Sequence, residues 1–142
     1  MTMTSPLDRL TGPGKMLATE PPDANEFAGL KRTGLNRLKD AGNKINSLEG
    51  RFDLVYNAAH ALSLAALRHR GYRAGNRYIV FQVLPHTLGL GPEVWRVLAK
   101  GHDIRNLGEY EGDLNIDERI VADMIVACRA VAAKLKELPP LL

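Results

Sequence analysis

The stretch from His102 to Asp113 carries the side chains best suited to chemistry in this sequence. Arg105 is permanently charged and can hold a phosphate through two hydrogen bonds, and Asn106 offers both a donor and an acceptor. His102 lies one helical turn before Arg105, and Tyr110 shares a helical face with Asn106. An arginine, an amide and a titratable ring at this spacing predict a site that binds a phosphodiester and moves a proton near it.

A structural interpretation of the same stretch stays open beside the chemical one. In that interpretation a helix loses its regularity at Gly108, and Arg105 and Asn106 bond to the carbonyl groups at its end. Tyr110 then packs on the neighbouring helices, and the stretch does no more than join two of them.

A second polar group lies upstream and is basic. It contains four arginines with no acid among them, which are the candidate nucleic-acid-binding residues: Arg68, Arg70, Arg73 and Arg77. A surface that binds RNA or DNA needs clustered cations of this kind to neutralise phosphates. A solvated turn has the same composition, and the sequence does not say whether this group faces Arg105.

Composition and motifs exclude several classes of protein. The chain has 142 residues, a net charge of +3 and one cysteine, Cys128, which excludes an internal disulfide and a cysteine-based zinc site. It contains no Walker-type glycine loop and no HExxH motif, and its four histidines lack metal-ligand spacing. We therefore expect neither metal nor cofactor. No apolar run reaches the roughly 20 residues of a membrane span, so we expect a cytoplasmic protein.

The apolar residues recur at three- and four-residue steps, which is typical of amphipathic helices. This pattern predicts four long helices, whose starts are marked by Asp23, Ser47, Gly91-Pro92 and, for the last one, Asn115 or Asp117. A shorter helix, capped by Asn76, should become distorted at Pro85 or end near Gly89. Its first turns, Tyr78 to Phe81, are also strand-like in composition.

Short connections between these helices predict an all-α fold, an up-and-down bundle of four to five helices. The bundle should occupy residues 23–138 as a single domain. Residues 1–22 are rich in Thr, Pro and Gly and are expected to be a flexible lead-in. Residues 139–142, which begin with two prolines, are expected to be a tail.

Four segments give the chain a resemblance to a known family: Glu49–Asp53 at a helix start, Leu67–Arg73, Val94–Trp95, and Arg105–Asp113. Together they make residues 48–137 resemble the HEPN superfamily, the small helical bundles of prokaryotic toxin–antitoxin and defence systems. The resemblance implies a homodimer whose facing copies build a composite cleft. It also implies RNA as a ligand and a cognate antitoxin or nucleotidyltransferase-like protein as a partner.

Many HEPN proteins are metal-independent ribonucleases, in which an arginine and a histidine promote attack of the RNA 2′-hydroxyl on the adjacent phosphate. Arg105 and Asn106 match the start of that motif, and Tyr110 stands where the histidine belongs. Tyrosine has an ordinary pKa of about 10 and is a poor general base at neutral pH. His102 is a less favoured substitute, because it precedes the arginine. The resemblance therefore implies at most weak turnover.

Two functions are expected from these observations. In the first, the protein is RNA-related and has a phosphate-binding cleft in which Arg105 holds the phosphate and Asn106 orients it. Tyr110 contributes a hydrogen bond, and the site has weak metal-independent ribonuclease activity. In the second, the protein is a non-enzymatic interaction or adaptor subunit, and the same residues are structural at a dimer interface.

Overall fold

Six α-helices and one small sheet make up the part of the chain that the computed structural model describes, residues 5–141. In chain order the elements are a 3₁₀ turn at Asp8–Leu10, β1 (Leu17–Thr19), α1 (Ala24–Ala41), α2 (Leu48–His69), β2 (Tyr72–Ala74), α3 (Arg77–Gln82), α4 (Leu84–Thr87), α5 (Pro92–Glu111) and α6 (Glu118–Lys136). Helix predominates, which confirms the predicted all-α bundle. None of the helices in this range is long and apolar enough to cross a membrane.

The predicted helix starts are confirmed by side chains that cap them. The Asp23 carboxylate accepts hydrogen bonds from the backbone N–H groups of Asn25 and Glu26, at 2.8 and 3.0 Å. Ser47, Asn76 and Asp117 cap α2, α3 and α6 in the same way. Each cap satisfies an N–H group that has no partner within its helix. Local residue choice thus fixes where these four helices begin.

The third predicted helix is divided in two at Val83, which raises the number of helices above the four to five expected. Helix α3 ends at Gln82, and α4 begins at Leu84 with Pro85 in its first turn. Proline has no N–H group and clashes with the preceding turn, so it is tolerated only where a helix starts. The strand-like run Tyr78 to Phe81 is helical, because the Asn76 cap and burial of its apolar side chains favour that state.

Helix α2 lies at the centre of the bundle and contacts each of the other five helices. Its small residues are buried, which allows close approach by its neighbours: Ala58, Ala59, Ala61, Ala65 and Ala66. Gly34 of α1 lies directly against Leu62 of α2, where an added Cβ would stand 2.7 Å from the leucine side chain. The α1–α2 contact therefore requires glycine at this position.

The N-terminal segment, expected to be a flexible lead-in, packs on the bundle instead. Its first four residues lie outside the described range, but Leu7 and Leu17 are buried in the hydrophobic core. Strand β1 pairs antiparallel with β2, with Leu17 opposite Ala74 and Thr19 opposite Tyr72. The segment folds because two apolar side chains and a ladder of backbone hydrogen bonds hold it. Its composition, rich in Thr, Pro and Gly, gave no sign of these distant contacts.

The C-terminal ends of the last two helices also differ slightly from the predicted ones. Helix α5 stays regular through Gly108 and ends at Glu111, where Gly112 adopts a left-handed conformation with φ of 76°. Helix α6 ends at Lys136, before the two prolines, and the Nε2–H of His69 donates to the carbonyl of Pro139 at 2.7 Å.

Cys128 is buried in α6, and burial raises its thiol pKa to about 12, as expected for a structural cysteine.

Candidate functional site

A cluster of polar and aromatic side chains surrounds the ring of Tyr56, a fully buried residue of α2. Helix α2 also supplies His60, one turn later. The segment from α3 supplies Arg77, Tyr78 and Phe81, and α5 supplies His102, Arg105 and Asn106. We refer to these eight residues as the Tyr56 cluster. The three helices thus bring together side chains from three distant parts of the sequence.

His102 is held at both of its ring nitrogens. The side-chain N–H of Asn106 donates to His102 Nε2 at 2.9 Å, one turn along α5. With Nε2 acting as an acceptor, the neutral ring carries its proton on Nδ1 and donates it to the hydroxyl oxygen of Tyr56, also at 2.9 Å. The hydroxyl and the amide therefore fix the orientation and the tautomer of His102.

Two guanidinium groups lie over the ring of Tyr56. The central carbon of Arg105 is 4.9 Å from the ring centroid, and that of Arg77 is 5.9 Å away. Both distances are within the range of cation–π attraction. Arg105 also approaches the exposed Glu109 at 3.4 Å, whereas Arg77 forms no ion pair with any residue between 5 and 141. Two positive charges therefore lie near one ring, and Glu109 partly compensates the charge of Arg105.

The pKa values of His60 and His102 are both lowered, by burial and by the nearby positive charges. Burial lowers the pKa of His60 to about 4, and the charges of Arg77, His102 and Arg105 act in the same direction. Burial also lowers the pKa of His102. There the nearby arginines add to the effect, while Asp103 opposes it. Both rings are therefore neutral at physiological pH. An anion bound between the arginines would raise both pKa values, because it would stabilise the protonated rings.

A cavity of about 490 Å³ lies on the other side of Arg105. Its wall carries four carboxylates, which belong to Glu49, Asp53, Glu109 and Asp113, together with Arg105 and a few small or apolar residues. Carboxylates repel a phosphate group, so this cavity disfavours a phosphate at Arg105. The wall of the cavity beside Arg105 is thus mainly acidic, unlike the phosphate-binding cleft expected there.

The structure separates the predicted catalytic residues. Arg105 and Asn106 belong to the Tyr56 cluster, and His102 lies at its centre. Tyr110 stands two turns after His102 on α5, with its side chain 95% exposed. It makes no hydrogen bond or ring contact within the described residues. The ring that accompanies Arg105 is therefore His102, which the motif had placed second to Tyr110.

The structure also divides the four arginines predicted to bind nucleic acid. Arg68 is only 2% exposed and pairs with Glu26 and Glu20, so it cannot meet a phosphate in this conformation. Arg73 pairs with the same two carboxylates. The prediction is therefore wrong for Arg68, which is buried, whereas Arg73 keeps 43% of its side chain exposed and its role in nucleic-acid binding stays a prediction. Arg70 and Arg77 are exposed, and Arg77 lies over the same tyrosine ring as Arg105.

Tyr56 and His60 stand four residues apart on one face of α2, a spacing that does not by itself distinguish a polar pair of the core from part of a site. His102 and Asn106 have the same four-residue spacing on α5. Two such polar pairs on two helices were the signal in the sequence that could have indicated the cluster. Nothing in the sequence indicated a role for Tyr78 in the site, yet the centroid of its ring lies 5.5 Å from that of His102.

No protein-family model, no curated protein and no solved structure matches this chain. Within residues 5–141 no three His, Cys, Asp or Glu side chains lie together in a way that could hold a metal ion. The resemblance to the HEPN superfamily thus remains the expectation drawn from the four sequence segments.

Proposed function

We propose that this protein binds the phosphodiester backbone of RNA at the Tyr56 cluster, as a HEPN-like member of a toxin–antitoxin or defence system. The pair of guanidinium groups over one tyrosine ring carries the proposal. Arg77 and Arg105 lie 5.9 and 4.9 Å from the centroid of that ring, and a phosphate contacted by both would reduce the repulsion between their charges. His60 and His102 are neutral beside them and add no competing charge.

The proposed binding mode assigns a task to each polar residue. Arg105 and Arg77 hold the phosphate oxygens through charge-assisted hydrogen bonds. Tyr56 positions both arginines through its ring and positions His102 through its hydroxyl group. Asn106 orients His102 from the exposed side. RNA in preference to duplex DNA follows from the HEPN resemblance, which also supplies the proposed cellular role.

RNA binding is expected to depend on Arg105 and not on Tyr110. Arg105→Ala should weaken binding of a short single-stranded RNA about tenfold, because it removes a phosphate contact. The slope of log affinity against log salt concentration should also fall by about 0.7, the value for one contact to a single strand. Fluorescence anisotropy with labelled RNA, measured at several salt concentrations, provides both quantities.

Two control variants sharpen this measurement. Arg96→Ala removes an exposed arginine from the same helix, where it lies over Trp95 away from the cluster, and should leave the affinity nearly unchanged. Tyr110→Phe should also have no effect. In the wild-type complex, NMR titration should show higher pKa values for His60 and His102 than in the free protein. Equal losses in Arg105→Ala and Arg96→Ala would show general charge attraction and contradict the proposed site.

A second candidate function is slow, metal-independent cleavage of the bound RNA, and the placement of His102 favours it. The ring is neutral and lies beside Arg105, so it can accept a proton from a 2′-hydroxyl group once Nε2 exchanges Asn106 for the substrate. With a chelator present, labelled RNA should be cleaved by the wild type and by Tyr110→Phe, but not by His102→Gln. Cleavage that persists in His102→Gln would remove this assignment. RNA that is bound and never cleaved would leave binding as the function.

A further inference from the structure

A groove lies between α5 and α6, along the half of α5 that is remote from the Tyr56 cluster. Its volume is about 480 Å³. Six apolar residues and two acids line it: Leu90, Val94, Val97, Val126, Ala127 and Ala130, with Glu93 and Asp123. The RNA proposal uses none of these residues, and the core packing leaves the groove open.

Val126 marks this groove as an unpartnered apolar surface. Its side chain is 66% exposed, although it stands at the middle of a long helix. The other large exposed apolar side chains in the described chain lie in loops or near the end of α5. On α6, Ala130 follows Val126 by one turn, and their small side chains leave room for another helix to approach. Two antiparallel helices that flank an apolar channel have the geometry of a helix-binding groove.

The charged residues of the groove favour some binding partners over others. Glu93 forms no ion pair with residues in the range 5–141, and Asp123 approaches only Arg119, at 4.0 Å, with both side chains mostly exposed. Such an exposed pair contributes little energy and exchanges easily. A second copy docked groove to groove would bring four carboxylates together, which like-charge repulsion disfavours. An anionic membrane surface is disfavoured for the same reason.

We propose that this groove binds an amphipathic helix of a partner protein, whose apolar stripe is flanked by lysine or arginine residues. The apolar stripe would cover Val126, Val97 and Ala130. The flanking cations would pair with Glu93 on α5 and Asp123 on α6, one on each side of the channel. This partner site is independent of the RNA site, because it lies at the opposite half of α5.

Two designed helical peptides of about 20 residues test the proposal. They share one leucine stripe and differ only in its flanks, which are lysines in the first and glutamates in the second. By calorimetry, the lysine peptide should bind the wild-type protein at least about tenfold more tightly. Val126→Asp should abolish its binding, whereas Ile45→Asp, a control at an exposed loop position, should not. The double variant Glu93→Lys, Asp123→Lys should reverse the preference between the peptides.

Several results would overturn the proposal. Equal binding of both peptides by the wild type would show that the carboxylates select nothing. Unchanged binding in Val126→Asp would place the peptide elsewhere. Self-association of the protein that rises with concentration and vanishes in Val126→Asp would make a second copy the occupant. Far-UV circular dichroism should show full helix content for each variant, since the substituted side chains are exposed.

Discussion

Arg68→Ala is expected to lower the free energy of unfolding by about 3 kcal/mol or more. The guanidinium group of Arg68 is almost fully buried, and it donates to Glu26, to the carbonyls of Glu20 and Tyr72, and to that of Pro21. Its removal leaves these acceptors without their donor and opens a cavity between α2 and the N-terminal segment. Urea unfolding followed by circular dichroism measures the loss.

Arg70→Ala is the matched control, because Arg70 lies two residues away in the same basic run and is exposed. Its stability should change by no more than about 0.5 kcal/mol. An intermediate variant, Arg68→Met, keeps the apolar stem and removes the charge, and it separates lost hydrogen bonds from lost packing. Equal stability of Arg68→Ala and Arg70→Ala would contradict the buried role of Arg68.

Leu17→Ala is expected to cost about 2 to 4 kcal/mol, although Leu17 lies in the segment that the sequence suggests is a flexible lead-in. Its side chain is 2% exposed and belongs to the main hydrophobic core, where strand β1 places it opposite Ala74. Truncation removes buried apolar surface and leaves a cavity. The change in the midpoint of urea unfolding measures the effect.

Met16→Ala provides the comparison for Leu17, since Met16 is its neighbour and is 49% exposed. That variant should stay within about 0.5 kcal/mol of the wild type. If residues 5–22 moved freely in solution, Leu17→Ala and Met16→Ala would have equally small effects. A clear difference between the two variants would establish that the segment is part of the folded unit.

The sequence was most informative where structure depends on neighbouring residues. Asp23, Ser47, Asn76 and Asp117 cap helices because a short polar side chain reaches N–H groups only two or three residues away. The same locality explains why α3 and α4 are separated near Pro85. These features need no knowledge of the tertiary contacts, so they could be read directly.

The candidate site was only partly predictable, for a related reason. His102, Arg105 and Asn106 share one stretch of helix, and their types alone suggested phosphate chemistry. Tyr56 stands 46 residues before His102, and nothing in either local pattern links the two. Tyr110, which the motif favoured, is 95% exposed, and its position in the motif gave no sign of this. Spacing along a helix indicates on which face a side chain lies, but it does not indicate what packs against that face.

Sequence alone therefore determined the helical class and most helix starts, and it named the arginines that are candidates to hold a phosphate. Tertiary structure decided the surroundings of each arginine. Arg68 and Arg73 pair with Glu20 and Glu26, which lie more than forty residues earlier, and Arg68 is buried, while Arg77 and Arg105 both lie over the ring of Tyr56. The availability of a charge depends on its spatial neighbours, and long-range packing brings those neighbours into place.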